Sequence, residues 1–257
     1  MDSNGLRRVA VVAGGASGIG WAVAVGLAGE SYRVIIADRN GAGAALRAGE
    51  LGEPHHGATV EVTDEASVAA LFEQVGPVDV VVNTAGFGCY GRIVDLPAEQ
   101  FREVVDVCLT GAFLVAKHAG RQLRDGGSLV SVTSLNARQP AAGMSAYCAA
   151  KAGLAMLTEV AALEFAARHI RVNAVSPGFV HTPLTAPVTL APAVLDEYLE
   201  NTPLGRAGTP EDVADAVLFM CSDKASWLTG EVLDLNGGAH LKRYPDVLAH
   251  IDRMAST

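Results

Sequence analysis

The chain has 257 residues, 50% hydrophobic and only 5% aromatic, with 19 Lys and Arg against 28 Asp and Glu for a net charge of −9. An acidic chain without a basic cluster is a poor partner for nucleic acid or an anionic membrane surface, and neither is expected. No apolar run reads as long enough to span a membrane, and MDSNGLRR lacks the apolar core of a secretory leader; Cys89, Cys108, Cys148 and Cys221 are scattered without a C-x-x-C pair, so a reduced cytoplasmic protein with no metal site is expected.

The length and the bias toward Ala, Val, Leu and Gly suit one α/β domain over residues 1–257, with small β-branched strands covered on both faces by Ala-rich helices. Residues 8–13, RVAVVA, read as a buried strand that runs into GGASGIG and then a helical segment at 21–28. Strand, glycine turn and helix are the setting in which backbone N–H groups receive a pyrophosphate, and Gly14, Ser17, Gly18, Ile19 and Gly20 are the candidates. Their G-x-x-x-G-x-G spacing departs from G-x-G-x-x-G, and a turn that merely packs helix on strand has the same look. The next strand, 33–37, delivers Asp38 eighteen residues after Gly20. A carboxylate there accepts from both adenosine ribose hydroxyls and repels a 2′-phosphate, which favours NAD over NADP; Arg39 directly after it tolerates a phosphate.

Residues 57–62 read as a third strand, followed by a helix to Val75 capped by Thr63 or Asp64. A fourth strand, 78–82, ends in NTAG, where Asn83 and the small residues after it let the chain turn tightly past a cofactor. One or two helices with an apolar face follow at 97–124. The fifth strand, 127–132, stops just short of Ser134, and a long helix at 145–169 holds Tyr147 and Lys151. Their i,i+4 spacing stacks them on one helix face. A lysine ammonium beside a phenol favours the phenolate, so the Tyr147 pKa falls from about 10 toward the range of a general base, and Ser134 holds the substrate oxygen. Taken alone, the pair also matches an ordinary amphipathic surface.

A sixth strand at 170–175 leads into SPGFVHTP. Residues 177–209 are irregular, with prolines around a short helix near 193–200, and an insertion of this length past a strand end reads as a mobile substrate lid over 183–209. Thr209 and Pro210 are the N-cap and first residue of a further helix, and 231–235 is a last strand before NGGAH. The tail, 239–257, either covers a neighbouring subunit's site or packs on its own chain. Alternation of strand and helix predicts a Rossmann-type, doubly wound, seven-stranded parallel sheet with every glycine or polar motif at a strand's C-terminal end, on one rim.

With GGASGIG, Asp38, NTAG, the Ser134, Tyr147 and Lys151 set, PGFVHT and LTGEVLDLNGG in this order, essentially the whole chain resembles the short-chain dehydrogenase/reductases. The resemblance implies an NAD(H)-dependent oxidoreductase that interconverts a secondary alcohol and a ketone. Tyr147 would be the acid/base, Lys151 would bind the nicotinamide ribose and lower the Tyr147 pKa, and Ser134 would orient the carbonyl or alcohol. It also implies that Asn83 stabilises the central sheet and that Thr182 and the Val180 backbone contact the carboxamide. Val62, Ala85, Gly86, Pro177 and Gly178 complete the implied cofactor set. Three positions depart from the pattern. Cys108 stands where relatives have an Asn that holds a relay water, and a thiol is a weak donor and acceptor, so a rearranged relay or plain packing are both open. Ala13 replaces a Thr that steadies the turn, and Glu61 replaces an Asp that meets the adenine.

Leu135, Asn136, Met144, Phe179 and Leu184 are the candidate substrate residues, with 87–90 opposite and His181 read as a surface residue. They are mostly apolar and include no Arg pair, which suits a medium-sized neutral alcohol or ketone. A homotetramer or homodimer is expected through helices at 101–124 and 145–169, where Phe113, Leu114, Leu154, Leu157 and Leu163 serve core or interface. A carrier-linked 3-ketoacyl thioester reductase would prefer NADPH and a basic docking face, which Asp38 and the acidic balance oppose. A sugar or polyol dehydrogenase shares every cofactor motif, and an NAD-binding regulator with impaired catalysis is the non-enzyme alternative.

Overall fold

Runs of Val, Ile and Ala too small to fill a helix–helix interface become strands in the computed structural model, which describes residues 7–255. In chain order these are β1 (Val9–Ala13), α1 (Gly18–Gly29), β2 (Arg33–Asp38), α2 (Gly41–Leu51), β3 (His56–Thr59), α3 (Glu65–Val75) and β4 (Val78–Asn83). They continue with α4 (Ala98–Val105), α5 (Gly111–Gln122), β5 (Leu123–Val132), α6 (Ser145–Phe165) and β6 (Arg171–Pro177). The last are α7 (Ala186–Thr189), α8 (Pro192–Glu200), α9 (Pro210–Cys221), β7 (Val232–Leu235) and α10 (Val247–Ala255). The described strands form one parallel sheet in the order β3-β2-β1-β4-β5-β6-β7. β1 pairs with β2 on one side (Ala13 opposite Ala37) and with β4 on the other (Ala13 opposite Asn83). The chain therefore reverses its direction of winding between β1 and β4, and loops leaving those strands diverge to open a crevice.

Alternate strand residues feed two cores. Val11, Ala13, Val81 and Leu129 face Phe72 of α3, Leu114 of α5 and Ala162 of α6. Ala10, Val12, Val34 and Val82 face Leu27 of α1, Ala44 of α2 and Val217 and Met220 of α9. Every residue of β1 is buried, as a central strand covered on both sides requires.

Four local differences from the sequence expectation have physical reasons. Helix α2 was not anticipated, since Gly41, Gly43 and Gly49 are poor helix formers. Small residues serve close approach here, and a Cβ on Gly57 of β3 would sit 2.5 Å from the Ala44 carbonyl carbon. Strand β5 begins at Leu123 instead of 127, because the Asp-Gly-Gly stretch that reads as a turn is absorbed as a register shift against β4. The helices at 97–124 join through one π-helical turn, Asp106–Thr110, centred on Cys108. Strand β3 is shorter than the predicted 57–62, so Val60, Glu61 and Val62 lie beyond its end.

One further expectation changes, and one left open is decided. The 24-residue helical stretch Ser145–Arg168 contains an 18-residue window of mean hydropathy 1.3, long and apolar enough by composition to cross a membrane, contrary to the reading that no run reaches that length. One face of this helix is internal, with Ala146, Ala150, Leu154 and Ala161 buried in this structure. The tail packs on its own chain: Val247 joins Val194 and Tyr198 of α8 in a small apolar cluster, and Glu197 of α8 pairs with both Arg243 and His250. The leader reading rests largely on residues 1–6, outside the described residues.

Candidate active site

A cleft of about 460 Å³ opens at the reversal point between β1 and β4. The turn after β1 is pinned by the absence of side chains, since a Cβ on Gly20 would lie 2.2 Å from the Gly14 carbonyl oxygen. Thr84 Oγ1 lies 2.9 Å from the Ala13 carbonyl oxygen and 3.1 Å from that of Gly14, which supplies the steadying hydroxyl that Ala13 lacks. Ser17 is extended, and its side chain caps none of the N–H groups that open α1, so those donors face the cleft. Gly18 and Thr182 face each other across its mouth, where a Cβ on Gly18 would come 3.4 Å from the Thr182 Cβ. Asp38 at the end of β2 also lines the cleft; one carboxylate oxygen accepts from the Asn40 N–H at 2.9 Å and the other from the Ala16 N–H at 3.1 Å. Free donors at a helix N-terminus, glycines where side chains would intrude, and a fixed carboxylate at the far end match the pyrophosphate and ribose of a dinucleotide.

Gly14, Ser17, Gly18, Ile19, Gly20, Asp38 and Arg39 all line this cleft, as do Glu61, Val62, Ala85, Gly86 and Thr182. The remaining cofactor candidates do not. Pro177 and Gly178 line a second cavity, because β6 lies two strands away from the reversal point. Asn83 is buried and accepts from the Ala85 N–H at 3.2 Å, and Val180 is buried with its carbonyl accepting from the Thr185 hydroxyl. Glu61 turns back on its own loop, its carboxylate accepting from the Thr63 hydroxyl at 2.8 Å.

Ser134, Tyr147 and Lys151 come together at the C-terminal end of β5. Ser134 caps a short turn by accepting from the Asn136 N–H at 3.2 Å, and it shares the cavity wall with Tyr147, whose pKa its hydroxyl lowers. Lys151 is 3% exposed, and its Nζ donates to the Val132 carbonyl at 2.8 Å while lying 5.7 Å from the centre of the Tyr147 ring. It sits directly behind Gly86, where a Cβ would meet Nζ at 3.1 Å and the Cys108 Sγ at 3.4 Å. Burial raises the Tyr147 pKa well above its usual value, and the Ser134 hydroxyl only partly offsets this. Burial likewise lowers the Lys151 pKa. The expected depression of the Tyr147 pKa by Lys151 is therefore absent: the ammonium is turned to Val132, and desolvation dominates. Cys108 is fully buried with Sγ donating to the Phe87 carbonyl at 3.2 Å, and it lines neither cavity.

The second cavity, about 360 Å³, adjoins Ser134 and Tyr147 and takes Leu135, Asn136, Met144, Phe179 and Leu184 as expected. Leu184 lines both spaces, and His181 is exposed and lines neither. Sequence reasoning covered Tyr198 of α8 only as part of the 183–209 lid, and it missed Gln139 and the wall made by Arg243 and Tyr244 of the tail. None of these carried a motif. In the first cleft it missed Val60, Val107 and Thr84, of which Thr84 lies inside NTAG and was legible there.

A family model described as enoyl-(acyl carrier protein) reductase matches residues 14–240. The chain is 42% identical to cis-4-hydroxycyclohexanecarboxylate dehydrogenase of Sinomonas cyclohexanicum over 243 residues, covering 90% of this chain and 96% of that protein. It is 37% identical over 241 residues to the 3-oxoacyl-[acyl-carrier-protein] reductase FabG of Aquifex aeolicus (strain VF5), with the same two coverages of 90% and 96%. Among solved structures, a short-chain type dehydrogenase/reductase from Mycobacterium ulcerans superposes with a TM-score of 0.91 at 34% identity, covering 96% of this chain and 94% of that one.

Proposed function

The chain belongs to the short-chain dehydrogenase/reductase family, oxidoreductases that act on CH–OH groups, and from that premise we propose that it interconverts a medium-sized neutral secondary alcohol and its ketone using NAD(H). The observation that carries the reading is the meeting of Ser134 and Tyr147 in the wall of a largely apolar cavity, with Lys151 Nζ 5.7 Å from the Tyr147 ring centre and an Asp38-lined cleft next door.

In this mechanism the N–H groups that open α1 take the cofactor pyrophosphate, and Asp38 takes the adenosine ribose hydroxyls and repels a 2′-phosphate. When bound, the nicotinamide supplies the hydride acceptor or donor. Ser134 holds the substrate oxygen, and Tyr147 removes the hydroxyl proton in oxidation or returns it in reduction. The Lys151 ammonium stabilises negative charge developing on the Tyr147 oxygen. Leu135, Met144 and Phe179 exclude water from the reacting carbon. Residues 183–209 act as a lid over a single catalytic domain, the enzyme works in the cytoplasm, and subunits associate as dimers or tetramers.

Thioester reduction is the second reading, favoured by the similarity to FabG; Asp38 and the net charge of −9 count against it. The test is NADH formation from purified protein with NAD and cyclic secondary alcohols, repeated with NADP, with a 3-oxoacyl thioester in the reductive direction, and with Tyr147→Phe. Oxidation with NAD, at least tenfold poorer with NADP and reduced about 1000-fold in Tyr147→Phe, is expected. Full turnover by a folded, NAD-binding Tyr147→Phe enzyme would sink the reading.

A further inference from the structure

Besides Ser134 and Tyr147, the substrate cavity is lined by three further phenols from separate parts of the chain: Tyr90 after β4, Tyr198 on α8 and Tyr244 in the tail. The Tyr198 and Tyr244 hydroxyls are 2.8 Å apart. Their rings are fixed, Tyr198 stacking on Phe179 at 4.7 Å between centroids and meeting Tyr244 edge-on at 5.8 Å. Tyr90 lines the same cavity from another part of the chain.

The two phenols joined by the Tyr198–Tyr244 hydrogen bond use one of their two protons. The second finds Met144 Sδ at 3.8 Å from Tyr244, and a thioether is a weak acceptor. The Asn136 side chain also approaches Tyr244, but it is already tied to Ser134 and to the Gln139 carbonyl. A phenol donor answered only by a thioether, on a largely apolar wall, favours a ligand oxygen that accepts from it, and a hydroxyl can both accept and donate.

Charge narrows the choice. Arg243 is the cation lining this cavity, and its guanidinium is paired with Glu197, which also binds His250 at 2.7 Å. The wall therefore presents no unpaired positive charge to a carboxylate. Its remaining surface is mostly apolar, from Leu135, Pro187 and Val188 among others, with Thr185, Asn201 and Thr202 as the further polar side chains, which suits a ligand with few hydroxyls better than a sugar.

We propose that the substrate is a compact carbocyclic diol or hydroxyketone whose second oxygen is received by the Tyr198–Tyr244 pair, which makes these two residues specificity determinants. The inference rests on the alcohol dehydrogenase reading above.

The experiment compares cyclohexanol with cyclohexane-1,2-, 1,3- and 1,4-diols as substrates for the NAD-saturated wild type and for Tyr198→Phe and Tyr244→Phe, which keep the aromatic rings in place. The wild type should favour at least one diol by about tenfold in kcat/KM, and each variant should shrink the diol-to-cyclohexanol ratio roughly fivefold, mostly through KM. Cyclohexanol turned over as well as every diol, or a ratio that survives both variants, overturns the inference and leaves the dehydrogenase intact. A wild type that oxidises none of these compounds counts against the dehydrogenase reading instead. Equilibrium binding to the NAD-loaded Tyr147→Phe protein then decides the inference separately: tighter binding of a diol than of cyclohexanol, lost when Tyr244→Phe is added, supports it, and equal binding overturns it.

Discussion

Tyr147 illustrates how burial outweighs a nearby charge at the scale of one residue. Its phenol is held above its ordinary pKa because the cavity desolvates it, while the Lys151 Nζ, 5.7 Å from the ring centre, is turned toward Val132. Oxidation requires the phenolate, and a raised pKa leaves the phenol protonated at neutral pH. The rate of oxidation, as kcat/KM, is therefore expected to climb about tenfold per pH unit from pH 6 upward, with reduction flat over the same range. A pH–rate profile in both directions checks this, and a flat oxidation limb would show that another group removes the proton. The residue types in this constellation were legible in the sequence, but the direction of the pKa shift was not, because only the tertiary fold says which atoms face solvent. Cys108 behaves similarly. Its identity stood out as a departure, whereas its bond to the Phe87 carbonyl inside a π-helical turn had no sequence signal.

At the scale of elements, local chemistry predicted best where it is self-contained. Thr209 accepts from the Asp212 N–H at 3.2 Å, and Asp212 accepts from the Thr209 N–H at 2.8 Å, closing a capping box at the start of α9. Arg206 grips the same carboxylate with two bonds, of 2.6 and 2.8 Å. Because α9 carries Val213, Val217 and Met220 into the core, Thr209→Ala should lower unfolding free energy by about 1 kcal/mol, read as a shift of the urea midpoint at unchanged slope. The Arg206 hydrogen bonds, with that of the Thr209 N–H, hold the Asp212 carboxyl well below the usual carboxylate range. Its contribution is present above the unfolded carboxylate pKa of about 4 and is lost as pH falls through the folded value. Elements whose logic lies in their neighbours were harder to read. Helix α2, with three glycines, and the Asp-Gly-Gly stretch of β5 carried no sequence signal for their elements, since the packing that overrides their local preferences comes from β3 and β4.

For the whole molecule, the apolar residues of α5 and α6 divide into two sets. Leu114 and Leu154 are buried in the subunit, while Phe113 is 47% exposed and Leu163 is 81% exposed, with Met156 and Val160 on the same outward side of α6. Met156, Val160 and Leu163 recur at helical spacing, so they form a stripe that a second copy can cover. The wild type is expected to run as a dimer or tetramer in light scattering after size exclusion. Phe113→Glu together with Leu163→Glu should drive it at least one step toward monomer while leaving the far-ultraviolet circular dichroism unchanged. A wild type that is monomeric would remove the proposed association.

The parallel sheet, the glycine turn after the first strand and the grouping of Ser134, Tyr147 and Lys151 were legible in the sequence itself. Each depends on periodicity, glycine placement or short spacing, and such signals act within a turn or two of chain. The meeting of three phenols in the wall of the substrate cavity was decided only by the tertiary structure. Tyr90, Tyr198 and Tyr244 are separated by many residues and by several elements, and nothing in the local preferences of α8 or the tail obliges them to meet. They converge because α8 and α10 bury Val194, Tyr198 and Val247 against one another and because Glu197 binds Arg243 and His250. Non-local burial and charge pairing of this kind become visible once the chain has folded.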